Sequence, residues 1–178
     1  MTADNTASDG ARAWWRDLQR HLDGKPNPRA DPGALARLRH CTGPAEAMAE
    51  PATLDLFRRL GRRDPLDLPR VAVIALVLAY VRTDAGPGQK AIQAVGSFPD
   101  STLSRLRFRR LLACRDDDDL AREMRRFVVL ADRTVNVGDL ADSLLRWSDR
   151  TRANWAFHYY GAGFAAPAAA PATEDLPS

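Results

Sequence analysis

The chain is predicted to be all-α: a helical bundle of roughly eight helices in two packed lobes. Three observations lead there. Apolar residues recur at spacings of three and four along most of the sequence, which is the period of a helix face. Helix-starting Ser, Asn and Asp residues stand just ahead of several of those stretches. No stretch reads convincingly as a strand, because the short β-branched runs fall at helical spacing or inside a longer apolar run. At 178 residues and 45% hydrophobic content, the chain is long enough to bury a sizeable core.

The polar leader over residues 1–9 is expected to fray. Over residues 11–22, Ala11, Trp14, Trp15, Leu18 and Leu22 share one arc of a helix, and Arg12, Arg16 and Arg20 run along the other side. Pro26 and Pro28 make the tract 23–29 a loop. Asp31 followed by Pro32 opens a short helix reaching Arg39. Gly43 and Pro44 punctuate the chain, and shorter helical pieces, broken near Pro51, occupy 45–60. A turn over 64–69 precedes the uninterrupted apolar run 71–81. That run makes about 17 Å of helix, too short to cross a bilayer, so it reads as a central buried helix with Arg70 and Arg82 in solvent at its ends.

Residues 83–88 break the chain and a short helix follows over 90–95. The tract 96–100 is a candidate boundary between an N-terminal lobe, 10–96, and an arginine-rich C-terminal lobe, 100–160. Ser101 is the expected cap of the helix containing RLRFRRLLAC. Asp116 to Asp119 begin the next helix, where acids meet the positive end of the helix dipole. Asn136 and Asp139 have the spacing of a capping box and open a helix reaching Trp147. Ser148 or Asp149 starts the last helix, which ends at Gly161. The alanine-proline segment 161–178 has no means of burying apolar surface and is predicted to be a disordered tail.

Charge distribution is the strongest functional signal. Of 26 basic residues only Lys25 and Lys90 are lysine, leaving 24 arginines, yet the formal net charge is only +3. Arginine's planar fork grips phosphate oxygens in pairs and stacks on bases. Between Ser101 and Arg115 lie Arg105, Arg107, Arg109, Arg110 and Arg115 without an acid among them. Arg105 and Arg109 form one stripe and Arg107 and Arg110 another, with leucines filling the rest of the circumference. Such a helix is expected to be buried against protein on more than one side, its arginines emerging at the seams.

The following helix projects more cleanly. Leu120, Met124, Phe127, Val128 and Ala131 face the core, while Arg122, Arg126 and Arg133 lie opposite, flanked by Arg125. Two readings stand: a face that follows a phosphate backbone, or a solvated face laced to Asp118 and Asp119 by ion pairs. Neutralising about five phosphates on a single strand would weaken binding roughly 100-fold between 50 and 200 mM salt. No base-reading set of Asn or Gln stands on a recognition helix, so contact independent of sequence is expected.

Trp14 and Trp15 are expected in the core or at a protein interface, and Trp155 and Tyr159 share the inner face of the last helix. Tyr160 or His158 is available to a partner. His21, His40 and His158 are isolated from one another and from Cys41 and Cys114, so no metal spacing emerges. There is no phosphate-cradling glycine loop, nucleophile elbow or metalloprotease motif. No catalytic residue, metal or cofactor is expected, and enzymatic activity is not. The polar MTADNTASDG start lacks an apolar signal core, so a cytoplasmic location without membrane attachment is expected.

WWRDLQ near the start, STLSRLRFRRLLACRDDDDLAREMRRFVVLA in the middle, VNVGDLADSLLRW and RANWAFHYY together resemble the CasB family, the small subunits of the type I-E CRISPR Cascade surveillance complex. The resemblance covers most of residues 11–160. It implies an all-helical, non-enzymatic protein present as two head-to-tail copies. It also implies contacts with other Cascade subunits, the crRNA, and the target and displaced DNA strands, which stabilise the R-loop. Carried onto this sequence, it makes Arg105, Arg107, Arg109, Arg110, Arg122, Arg125 and Arg126 nucleic-acid-facing, with Arg16 and Arg20 as weaker candidates. A helical adaptor using the same arginines for subunit contacts is the alternative.

Overall fold

The computed structural model describes residues 3–22 and 24–161. The alanine-proline segment beyond Gly161 and the first two residues of the leader lie outside the described residues. The architecture is helical: α1 (Ala3–Leu18), α2 (Pro32–His40), α3 (Pro44–Ala47), α4 (Pro51–Arg59), α5 (Leu68–Leu78), α6 (Arg105–Ala113), α7 (Asp117–Leu130), α8 (Val137–Leu145) and α9 (Asp149–Tyr159). Short 3-10 turns occupy Pro65–Asp67 and Ala91–Val95. Extended pairing among the described residues is limited to four two-residue pieces. β1 (His21–Leu22) and β2 (Lys25–Pro26) form a small hairpin, and β3 (Thr83–Asp84) runs parallel to β4 (Thr134–Val135).

The apolar run expected at the centre is there. Val71 through Ala79 are all fully buried, because α5 has neighbours on every side: α3 and α4 from the first half, α7 and α8 from the second. Segments 10–96 and 100–160 therefore pack through one continuous core. Each fully buried Val, Leu or Ile there contributes roughly 1.5–3 kcal/mol.

Several local expectations are corrected. The leader does not fray over its whole length, since α1 begins at Ala3. Ala7 is buried and the Ser8 hydroxyl donates to the Gly138 carbonyl at 3.1 Å. Small residues allow this close packing, and for the same reason they give no apolar period to read. At the other end α1 stops at Leu18 rather than Leu22, because the Asn27 amide donates to the carbonyls of Arg16, Asp17 and Gln19 and occupies the helix end. Arg12 is not part of a solvated stripe: it donates to Asp84 at 2.8 Å and to Asn136 at 3.1 Å. Arg70 is held by Asp117 at 2.9 Å instead of standing in solvent.

Ser104, not Ser101, caps α6, with its side chain accepting from Arg107 N–H. Ser101 instead donates to the Val95 carbonyl at 2.9 Å and accepts from Leu103 N–H. Asn136 does cap α8, but Asp139 does not complete the box. Its carboxylate accepts from Ala91 N–H at 2.8 Å and from Lys90 Nζ at 3.0 Å, tying α8 to the preceding 3-10 turn.

Two features of this fold position the candidate site. Tyr159 of α9 stacks on Phe108 at 3.9 Å between ring centroids, and its hydroxyl donates to the Leu103 carbonyl at 2.7 Å, which anchors α6. The parallel pairing of β3 with β4 brings the chain leaving α5 beside the chain leaving α7, so that Arg82 N–H donates to the Arg133 carbonyl at 2.8 Å.

Candidate nucleic-acid interface

Helix α6 lies on the surface. Phe108 and Leu111, three residues apart, set its buried face, while Arg105, Arg107, Arg109 and Arg110 are all exposed. Leu106 is 59% exposed, so the expectation that leucines bury this helix on several sides does not hold within the single chain. The two arginine stripes part company. Arg107 and Arg110 look across to α7, whereas Arg105 reaches back over the Phe98 ring, 5.5 Å from its centroid.

On α7 the expected core residues Leu120, Met124, Phe127, Val128 and Ala131 are buried. The outward arginines divide by partner. Arg122 pairs with Asp119, and Arg126 pairs with Glu123 at 2.5 Å, both within the helix. Arg125 turns away from the outer face. It donates to the carbonyls of Cys41 at 3.3 Å and Thr42 at 3.4 Å, and its guanidinium carbon lies 5.9 Å from the Tyr80 ring centroid. Its Nε is buried without a hydrogen-bond partner. The aspartate block serves α7 itself: Asp116 caps it, Asp117 holds Arg70 and Asp119 holds Arg122.

Arg133 does not continue the outer stripe. Helix α7 ends at Leu130, and Asp132 and Arg133 adopt left-handed φ values of 50° and 57°, which reverse the chain. Arg133 is thereby turned inward over Tyr80, 5.7 Å from the ring centroid.

Between α6 and α7 runs a groove of about 540 Å³ lined by Arg107, Arg110, Arg125 and Arg126 with Tyr80. Glu123 also lines it, so four guanidinium groups face one carboxylate. A smaller hollow of about 390 Å³ adjoins it through Arg125 and Arg126 and adds Arg122 and Asp118. Arg105, Arg109 and Arg20 do not line the groove. Arg16 lines a separate cleft of about 470 Å³ with Arg12, Arg82 and Asp84.

Tyr80, which lines this groove, has two arginines near it, Arg39 and Arg82, and no sequence motif singles out the three as a site. Arg39, at the end of α2, donates to the Ala79 carbonyl at 2.7 Å, and Tyr80 donates its hydroxyl to the Arg39 carbonyl at 3.3 Å. Partial burial, then repulsion from Arg133 and Arg82, lowers the pKa of the Arg39 guanidinium. The signal that could have found them is the sequence Tyr80-Val81-Arg82, a polar-tipped ring and a cation at the mouth of the apolar run. No hydrophobic period links it to Arg39 or Arg133.

Among the described residues, no group of three or more His, Cys, Asp and Glu is arranged to hold a metal ion, and no helix is long and apolar enough to cross a membrane. The arrangement lines a groove with guanidinium groups, the side-chain chemistry that grips anionic oxygens.

No curated protein sequence matches the chain significantly. Its fold is similar to that of a chain in the crystal structure of E. coli Cascade bound to a PAM-containing dsDNA target. The TM-score is 0.60 at 20% identity, with 84% of this chain and 93% of that chain covered. The family model for CRISPR-associated protein Cse2 matches residues 34–160, which include α6, α7 and the whole groove between them. By that match the chain belongs to the Cse2 family, equivalent to CasB, the small subunit of type I-E Cascade.

Proposed function

We propose that this protein is a non-catalytic subunit of an RNA-guided surveillance complex. In this reading it binds nucleic-acid backbone without base specificity and stabilises the R-loop by holding the displaced strand. Its partners are other Cascade subunits, the crRNA, the target and displaced DNA strands and a second copy of itself, all in the cytoplasm. One observation carries the reading: Arg107, Arg110, Arg125 and Arg126 converge on one groove in which a single glutamate opposes them. Arg107 and Arg110 have no carboxylate within ion-pair distance among the described residues, so their charge is available to a polyanion. Strand exchange at a guide-matched target is nearly balanced, and a few backbone contacts are enough to tip it.

The adaptor reading has its own support. Arg122 and Arg126 are engaged within α7, and Leu106 and Val129 present apolar surface of 59% and 47% exposure beside the arginines. Charge reversal at Arg107 and Arg110, with assembly and R-loop lifetime measured separately, decides between the two. Intact assembly with R-loops shortened about tenfold or more, the effect expected when two charged hydrogen-bonding groups are removed, supports strand holding. Failed assembly supports the adaptor, and no change in either measurement overturns both.

A further inference from the structure

We infer that Arg39, Arg125 and Arg133, gathered around Tyr80, form with the adjoining Arg82 a second phosphodiester-binding site. It would carry a single strand out of the α6–α7 groove and across to the cleft beside α1. The inference rests on the strand-holding reading and extends it to residues of the first half of the chain.

Three observations lead to it. The cluster is uncompensated: none of the four guanidinium groups has a carboxylate within ion-pair distance among the described residues. Many other arginines are matched, as in Arg37 with Glu50, Arg59 with Asp17, Arg62 with Asp67 and Arg152 with Asp149. The cluster is also built rather than incidental. Two guanidinium carbons lie within 6 Å of one ring, at 5.9 and 5.7 Å. Arg39 is tethered to Ala79 of the same chain segment, and Arg82 is joined to Arg133 through the backbone. Partial burial, and after it repulsion from Arg133 and Arg82, lowers the basicity of Arg39, and an arriving anion would relieve the repulsion. Finally, the cluster is continuous with both neighbours. Tyr80 and Arg125 line the α6–α7 groove, while Arg82 lines the cleft that holds Arg16.

A labelled oligothymidylate titrated with the full-length protein at several salt concentrations tests this. For Arg39→Gln with Arg82→Gln, we expect affinity to fall about tenfold. The salt slope should become shallower by about 0.7 for each phosphate that is no longer neutralised. Arg82→Gln alone keeps the test valid if the double variant is poorly folded, because the Arg82 side chain is exposed and its backbone bond to Arg133 survives. Tyr80→Phe should bind like the original and Tyr80→Leu should not, since the ring and not the hydroxyl gathers the guanidinium groups. If Arg107→Gln with Arg110→Gln weakens binding while Arg39→Gln with Arg82→Gln leaves affinity and slope unchanged, the second site is wrong and the groove stands. If neither pair matters, both readings fall. Failure of complex assembly with unchanged oligonucleotide binding would make the cluster a subunit interface and overturn the inference.

Discussion

Cys41 and Cys114 occupy equivalent places. Each is the residue at which a helix bearing arginines ends, and each thiol donates back to the carbonyl four residues earlier, Arg37 at 3.3 Å and Arg110 at 3.4 Å. Burial pushes both thiols up from the ordinary range of about 8.5. Nearby acids add to it: Glu50 and Glu46 at Cys41, Glu123 and Asp116 at Cys114. A thiol whose pKa is higher folded than unfolded holds its proton longer in the native state. The contribution to stability is therefore full below the unfolded value and is lost as pH rises through the folded one. Both thiols should resist a thiol-specific disulfide reagent at neutral pH and react together only as the chain unfolds. The denaturation midpoint should fall above about pH 8.5, and Cys41→Ala with Cys114→Ala should remove part of that alkaline loss. Rapid labelling of either thiol in the native protein would contradict the burial argument.

At the scale of elements, α1 crosses α4 and α8 in close approach at two glycines. A Cβ added at Gly10 would lie 2.2 Å from the Arg59 carbonyl oxygen, and one added at Gly138 would lie 3.1 Å from Ser8 Cβ. Exchanging glycine for alanine within a helix ordinarily gains up to about 1 kcal/mol, whereas forcing an extra carbon into a close-packed crossing costs roughly 1–3 kcal/mol. The backbone carbonyl cannot swing aside, so the steric cost wins. Gly10→Ala should lower stability by about 1 kcal/mol or more in urea denaturation, and a stabilised variant would mean that the two helices stand further apart. The same crossing explains what is legible in the sequence. Helices α5 and α7 are written in large apolar residues at regular spacing, and both can be read from it. The first two turns of α1 are written in small and polar residues, among which Ala7, Ser8 and Gly10 serve close approach, and they give no apolar period. The site divides likewise: the exposure of Arg107 and Arg110 follows from the spacing of Phe108 and Leu111 along one helix. The approach of Arg82 to Arg133 depends on β3 pairing with β4, a pairing between segments some fifty residues apart that local pattern does not encode.

Across the whole molecule the modest charge of +3 conceals a segregation. Several arginines on other faces are neutralised by neighbours such as Glu50, Asp17, Asp67 and Asp117, whereas those lining the groove outnumber its one glutamate. The groove depends on α6 and α7, which are held by α9 and α5, and α5 is packed on both sides of the chain's midpoint. A strand that engages these arginines in their folded arrangement therefore binds the native state and has no equivalent site on the unfolded chain. Linkage then requires that an oligonucleotide stabilise the entire fold, by about 2.7 kcal/mol at a free concentration near 100 times Kd. For a domain of this size that corresponds to a rise in Tm of roughly 5–10 °C. The rise should be present at low salt and fade as ionic strength competes for the phosphates. Arg107→Gln with Arg110→Gln should abolish most of it without changing the Tm measured in the absence of the strand, because neither side chain has an ion-pair partner to lose among the described residues. A shift that persists in high salt would indicate apolar rather than phosphate contact. A lowered Tm would mean that the unfolded chain, with its arginines dispersed, binds the strand better than the groove does.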